Sequence, residues 1–568
     1  MIAMHLLKFQ IGPVQDFIAQ ARSTRDLWSG SYLLSWLVAA GIRSLPALRS
    51  TLIFPNLHDQ PLLEIDKSPL PADHTKLLTP NLPNVFIAKI EGDPTEIATA
   101  VKKAIEAEWQ KIAEAVWNKR DVIHLPISCR DRYFSQVARQ VSISWQSTPL
   151  ESNYASTYKR NGQQLDAVRQ TREFCAWDSC IDIAQHHNLS EKDSLSGKEE
   201  ALVGGTNFIV QHENNNNDYC ALFTKHADYL GAVSIIKRCW HLAYLKDVKK
   251  FKTSSKEFTI RSIPAIAARE KTHDDDEKKE TTSGAERYIA AIAFDGDQIG
   301  KWVSGDFLPE NADLEKHHAS FSAALSDFAM NRVRSIVEPL GQLIYAGGDD
   351  VLALAPADRA LDIAEKLRIA FCDATKHIIG KDADHPQPDA SVGIAIAHIH
   401  SPLQDLIKEA QKAEKRAKNE VGRPAFSITL MKRSGEISYW GSKWSSGGLQ
   451  LYQAIAKHLV EKKLSGKFPH RVTQLLTPYL TERSKISHQT NALNFPTFEI
   501  ITREFAFAAS QQGSVAIAKD LAPVLENYLK KLSGDPQKLL TSLIDLCTTV
   551  AFTHRTLPAV EKQSPVPA

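Results

Sequence analysis

The chain has 568 residues, yet it carries only 7 cysteines and 4 methionines, and its formal net charge is only +2. So few cysteines, scattered over such a length, exclude a disulfide scaffold and predict reduced thiols. Near-balanced charge excludes a polycationic chain that binds nucleic acid through bulk charge, so any grip on a polyanion has to come from local patches. No uninterrupted apolar run reaches the roughly 20 residues of a membrane span. The start, Met1-Ile2-Ala3-Met4-His5-Leu6-Leu7, lacks the basic head and cleavage pattern of a signal peptide. These absences predict a cytoplasmic protein. What remains is a hydrophobic fraction of 43%, normal for a globular chain, and a length that predicts about three or four domains.

The chemistry begins at Gly347-Gly348-Asp349-Asp350, between the apolar runs Leu343-Ile344-Tyr345-Ala346 and Val351-Leu352-Ala353-Leu354. This pattern predicts a β-hairpin whose tip holds two adjacent carboxylates, with the glycines free to take positive φ. Hard oxygen donors on a rigid edge are what Mg²⁺ or Mn²⁺ needs. An Asp-containing turn also serves purely conformational ends, so the hairpin alone leaves both readings open. Upstream, Tyr288-Ile289-Ala290-Ala291-Ile292-Ala293-Phe294 reads as a buried strand running into Asp295-Gly296-Asp297-Gln298-Ile299-Gly300-Lys301-Trp302. Two acidic clusters on neighbouring strands can converge on a pair of metal ions about 3.5–4 Å apart, the arrangement of two-metal nucleotidyl transfer.

A helix is predicted near Asp358 to Ile379, then a strand Ser391–Ala397, a helix opening at Pro402 and a strand Ala425–Met431. In the second helix Leu403, Leu406, Ile407, Ala410, Ala413 and Ala417 share one face. Its other face carries Lys408, Lys412, Lys415, Arg416 and Lys418, with Arg423 beyond. That face is either a triphosphate grip or an ordinary solvated surface. The whole order, β-α-β-β-α-β-α-β, is a ferredoxin-like palm with one added helix and strand.

These residues carry a resemblance. Phe294 to Trp302, Tyr345 to Asp350, and Ala413-Glu414-Lys415-Arg416-Ala417-Lys418 resemble the cyclase-type palm of the large subunit of type III CRISPR RNA-guided effector complexes. Phe9 to Ile18, Ala21 to Tyr32, and Leu82-Pro83-Asn84-Val85-Phe86 resemble the first palm of the Cmr, or III-B, branch. The likeness runs from about residue 4 to 445. It implies an α+β fold with two ferredoxin-like palms, the second similar to GGDEF-type diguanylate cyclases, a mixed middle region and a C-terminal helical domain.

The resemblance also implies a function: joining ATP through 3′–5′ bonds into cyclic oligoadenylates when a complex with guide RNA and partner subunits captures target RNA. Asp295, Asp349 and Asp350 would be catalytic, and Asp295, Gly296, Asp297, Asp349 and Asp350 would surround two Mg²⁺ or Mn²⁺ ions. Gly300, Lys301, Gly347, Gly348, Lys415 and Lys418 would contact the nucleotide. Family members often hold zinc through paired cysteines between the palms. Here the pattern is degraded, with Gly231 and Ser234 where a second pair would stand, so Cys175, Cys180, Cys220 and Cys239 are either zinc ligands or isolated cysteines.

Composition predicts a first palm over 1–130 without metal carboxylates, since Phe9-Gln10 stands where Phe294-Asp295 stands in the second. A middle region follows over 131–270, then a charged disordered linker over 271–285, the active palm over 286–445, a helical domain over 446–556 and a tail over 557–568. The two His-Asp pairs, His58-Asp59 and His273-Asp274, lie among prolines and in the charged linker. Neither has the helical setting of the family's HD nuclease, so that activity is expected to be missing or on another polypeptide. Two rival functions stay open: a stand-alone cyclic-nucleotide synthase, and a catalytically silent scaffold of the same kind of complex.

Overall fold

The computed structural model describes residues 4–46, 49–56, 60–65, 74–171, 191–213, 217–223, 228–251, 260–269, 288–480, 497–532 and 536–554. The linker, the tail, Cys175, Cys180 and both His-Asp pairs therefore lie outside the described residues. The chain divides into two compact units, one of residues 1–262, 298–351 and 369–388, the other of 263–297, 352–368 and 389–568.

The first unit contains a four-stranded sheet in the order β2-β3-β1-β4, made of β1 Met4–Gly12, β2 Ser50–Phe54, β3 Val85–Glu91 and β4 Ser142–Pro149. The edge strand β4 thus comes from beyond residue 130. β1 is antiparallel to both neighbours, and Phe9 pairs with Phe86 on one side and Trp145 on the other. The Phe9 and Phe86 rings stack at 5.1 Å, which pins the register with a cross-strand aromatic pair.

The segment after β1 forms two helices, Gln15–Ala19 and Thr24–Arg43, where its periodicity alone reads as one long helix from Val14. The break has a local cause. Ser23 and Asp26 form a capping box that starts the second helix afresh. Behind it lies a buried charge network. Arg238 pairs with Asp26 at 3.5 Å and with Asp228 at 2.7 Å, while Lys237 donates to the Phe17 and Gln20 carbonyls at 2.6 and 2.7 Å. A β-carbon on Gly30 would come within 2.9 Å of the end of the Lys237 side chain, so a larger residue there would have to displace that lysine. Part of the family-like stretch from Ala21 to Tyr32 is therefore a packing node. A short sheet pairs β5 Val203–Gly204 with β6 Tyr229–Leu230. The Ser31 hydroxyl donates to the Ile344 carbonyl in the same unit.

The larger sheet has the order β12-β11-β10-β7-β9-β8, with β7 Tyr288–Gly296, β8 Gln342–Ala346, β9 Asp350–Pro356, β10 Ala390–His398, β11 Ala425–Met431 and β12 Ile437–Lys443. β12 is a further strand beyond the expected palm. β10 runs antiparallel to β7, with Ser391 opposite Asp295, and parallel to β11. Every residue of β7 is buried except Asp295, which is half-buried. The helix Leu403–Arg416 lays Leu403, Leu406, Ile407, Ala410 and Ala413 into the core, as its periodicity predicts. It sits so close that Gly393 of β10 has no room for a methyl group: a β-carbon there would lie 2.0 Å from the Glu414 nitrogen. Helices Gly448–Val460, Phe468–Leu476, Thr497–Gln512, Val515–Leu532 and Pro536–Thr553 belong to the second unit, where Tyr452 stacks on Trp440 of β12 at 5.6 Å. Among the described residues no helix is long and apolar enough to cross a membrane.

Candidate active site

In the second unit the acidic end of β7 meets a lysine. Lys418 lies in the turn of wide helix Ala417–Gly422 and pairs with both Asp295 and Glu414. Its side chain is only 12% exposed. Burial pulls its pKa down, but the two carboxylates outweigh that, so the ammonium is held above its ordinary range. Asp295, by contrast, keeps 37% of its side chain exposed.

Asp297 behaves differently although it is two residues away. Its carboxylate accepts from the Ser391 hydroxyl at 2.9 Å and faces Arg423 at 3.4 Å. Burial pushes its pKa up to about 7, against the pull of Ser391, Lys418 and Arg423. The backbone holds it there. The Asp297 nitrogen donates to the Asp389 carbonyl at 2.7 Å, and Asp389 is itself clamped by Arg368 at 2.6 and 2.5 Å. Gln298 then turns the chain into the helix Ile299–Ser304 from a left-handed conformation, φ +53°. In the first unit, a β-carbon on Gly300 would meet open space and the Lys301 ammonium lies 5.2 Å from the Phe307 ring centre.

The first unit also holds the Gly-Gly-Asp-Asp turn. The Gly347 nitrogen donates to the Asp350 carbonyl at 2.9 Å, closing the turn, and Asp349 and Asp350 are half-buried. Only one of the two glycines takes a positive φ, Gly348 at +112°. Gly347 is required for another reason: a β-carbon there would fall 1.9 Å from the Tyr345 hydroxyl. Burial first, then the charges of Asp350 and Asp349, raises the Tyr345 pKa far above its ordinary value, so the phenol stays protonated under the acidic turn. Beside Gly347 and Gly348 opens a cleft lined also by Phe54, Pro55, Asn81 and Ser322. Asn81 Nδ2 and Ser322 Oγ are buried without a hydrogen-bond partner.

The basic face of the helix 403–416 is not one surface. Lys408, Lys412 and Lys415 are exposed, and Lys412 pairs with Glu409 at 2.5 Å. Arg416 turns to the sheet instead, bonding Ser427 at 3.1 Å and Thr429 at 2.5 Å with its guanidinium 4.1 Å from the Tyr439 ring centre. Lys418 alone of this set reaches an acidic residue of β7. Sequence reasoning passed over Tyr345, Glu414 and Asn81. Only Glu414 left a signal, as the acidic residue four positions before Lys418.

Residues 288–427 match the family described as Cas10/Cmr2, second palm domain, and residues 6–114 match that described as CRISPR-associated protein Cmr2, N-terminal. The chain carries two Cmr2-family domains. A curated relative, the CRISPR system Cmr subunit Cmr2 of Pyrococcus furiosus, is 27% identical over 574 residues, covering 81% of this chain and 65% of that protein. The chain thus spans less than two thirds of that Cmr2 subunit's length. The CMR subunit Cmr2 of Saccharolobus solfataricus is 31% identical over 107 residues, 16% of this chain and 10% of that protein. Among solved structures, the type III-B Cmr-beta apo state matches with TM-score 0.62 and 14% identity over 90% of this chain and 77% of that chain. Type III-B Cmr-beta bound to cognate target RNA matches with TM-score 0.60 and 13% identity, over 90% and 78%. The fold is accordingly the α+β fold of Cmr2-type palms with a helical region.

Proposed function

We propose that this Cmr2-family chain is the nucleotidyl-transferring subunit of a type III-B effector complex, converting ATP to cyclic oligoadenylates when guide RNA and partner subunits hold a target RNA. The observation that carries the reading is the pairing of Lys418 with Asp295 at the end of β7, the strand next to β9, which the Gly-Gly-Asp-Asp turn opens.

The two acidic motifs of the sequence, Asp295-Gly296-Asp297 and Gly347-Gly348-Asp349-Asp350, are the carboxylate sets this reading assigns to the metal ions. The donors fit a hard divalent cation: Asp295, Asp349 and Asp350 are carboxylates with part of their surface in water, and Asp295 already holds the Lys418 ammonium. Mg²⁺ or Mn²⁺ held there would activate a 3′-hydroxyl and stabilise the pyrophosphate leaving group. Asp297 fits less directly, since its carboxylate is buried against Ser391 and titrates near neutrality.

The chain's own residues divide the remaining work. Lys418, charged and preorganised by Glu414, holds phosphate oxygens beside Asp295. Gly300 leaves the opening of its helix free of a side chain, so phosphate can approach the backbone, with Lys301 next to it. Gly347 and Gly348 keep the turn thin over Tyr345. Lys415, exposed to solvent, can add at most a weak outer contact.

The test is reconstitution with partner subunits, guide RNA, target RNA, ATP and Mg²⁺, with products separated by chromatography. Asp349→Ala with Asp350→Ala should abolish product and leave assembly intact. Wild-type yields from that variant would overturn the assignment. Product made by the isolated chain without RNA would favour a stand-alone synthase.

A further inference from the structure

We propose that His124, His212 and Cys220 form a zinc site. One nitrogen of each histidine and the Cys220 sulfur all lie within 4.8 Å of one another, and among the described residues they are the group of three such side chains that meets this distance. His212 is 1% exposed and Cys220 is fully buried. The Nε2 atoms of His124 and His212 are both buried with no hydrogen-bond partner. Two imidazole nitrogens buried without partners beside a thiol are unfavourable as neutral packing, and become bonds once a metal sits between the three side chains.

The surroundings hold the donors in place for this role. His212 Nδ1 lies 2.7 Å from the Phe208 carbonyl, which accepts its proton and turns the Nε2 lone pair toward the cluster. The two imidazoles meet edge to face at 4.9 Å. Phe208 and Phe223 wall His212 at 4.4 and 5.1 Å and keep water off that side. His124 is held at φ +50°, a left-handed conformation that is costly for a residue with a side chain.

The donor set selects the ion. Two imidazoles and a thiolate suit Zn²⁺ and disfavour the oxygen-seeking Mg²⁺ or Ca²⁺ of the palm. On binding, Cys220 releases its thiol proton to solvent and the sulfur, now 3.8 Å from the Val122 carbonyl, becomes a metal ligand. Three protein donors leave the fourth tetrahedral corner to water. The site would staple the helix Thr206–Glu213 and the turn Cys220–Leu222 to the segment after the helix Pro94–Trp117. The pairing differs from that expected from sequence: Cys220 keeps company with two histidines, and Cys239 is not a member.

Zinc in the purified full chain should be measured by mass spectrometry after dialysis against a weak chelator, for wild type and for His124→Ala, Cys220→Ser and Cys239→Ser. Each of the first two should lose one equivalent, and Cys239→Ser none. Replacement of zinc by Co²⁺ in the wild-type chain should give a sulfur-to-cobalt charge-transfer band in the near ultraviolet, a readout that needs no variant to fold. Absence of that band, or full zinc retention in both His124→Ala and Cys220→Ser, would overturn the site.

Discussion

Gly393→Ala should loosen the helix that carries Glu414 and, with it, the Lys418 grip on Asp295. The added methyl carbon would lie 2.0 Å from the Glu414 nitrogen and 2.2 Å from the Ala410 carbonyl oxygen, both backbone atoms that cannot swing aside. Ordinary contact at about 3.4 Å needs the helix 403–416 to retreat from β10 by roughly 1.2–1.4 Å. Overpacking of this kind costs about 1–3 kcal/mol, and a contact with backbone on both sides belongs at the upper end. At roughly 2–4 °C per kcal/mol for a unit of this size, the melting temperature should fall by about 6–12 °C. A displacement of about 1 Å at a phosphate-binding group can cost about 100-fold in rate, so surviving folded protein should be correspondingly slow. Calorimetry together with ATP turnover checks both parts. Gly300→Ala is the contrast, because its methyl group meets open space: stability should hold or rise slightly, while turnover falls if phosphate uses that opening. A Gly393→Ala chain melting within about 1 °C of wild type would refute the close approach and the coupling drawn from it.

Lys418→Ala should raise the ATP KM about tenfold or more, the effect of losing a charge-assisted contact of about 1.5–3 kcal/mol. Lys408→Ala, Lys412→Ala and Lys415→Ala, all exposed, should each change it far less, and equal effects across the four in an ATP titration would return this face to plain solvated surface. Gly347→Ala should cut turnover sharply by driving Tyr345 from beneath the acidic turn, a change that intrinsic fluorescence and product assays would report. Burial raises the Asp545 carboxyl to about 7 in the folded chain, above its ordinary value of 3.8, so the folded state binds more protons than the unfolded one between those limits. Stability should therefore decline as pH rises from about 4 to 7, and Asp545→Asn should stabilise by on the order of 1–3 kcal/mol at pH 8 and by almost nothing at pH 4, as read by chemical denaturation.

The second palm could be read from the sequence because its signals are local and repeat at fixed periods. β11 spans Ala425–Met431 as its apolar run predicts, β10 extends the expected Ser391–Ala397 by one residue at each end, and the helix near 358–379 is trimmed to Ala360–Thr375. The first palm was harder. A period-based reading runs one long amphipathic helix from Val14, because no proline interrupts the segment. The break is made by the Ser23 hydroxyl and the Asp26 carboxylate capping each other's backbone, and it is anchored by Arg238, more than 200 residues away. β4 likewise joins the first sheet from 142–149 through pairing with β1, a tertiary choice that carries no local mark beyond β-propensity.

At the site, sequence identifies which carboxylates are present but not which are charged. Asp295 and Asp297 are separated by one glycine and look equivalent in a motif. The strand ends between them at Gly296, and the turn that follows sends them into different surroundings: Asp295 to the half-exposed mouth beside a lysine, Asp297 to a buried pocket behind Ser391. Desolvation then brings the deeper one, Asp297, to a pKa of about 7. The lysines divide in the same way. Lys415 and Lys418 differ by three positions and share a face on paper, yet the widened turn at Ala417–Gly422 rotates Lys418 inward to Asp295 while Lys415 stays in solvent. A single-residue change in helical pitch is invisible to a 3.6-residue template, and here it is what separates the residue proposed to hold phosphate from its solvated neighbours.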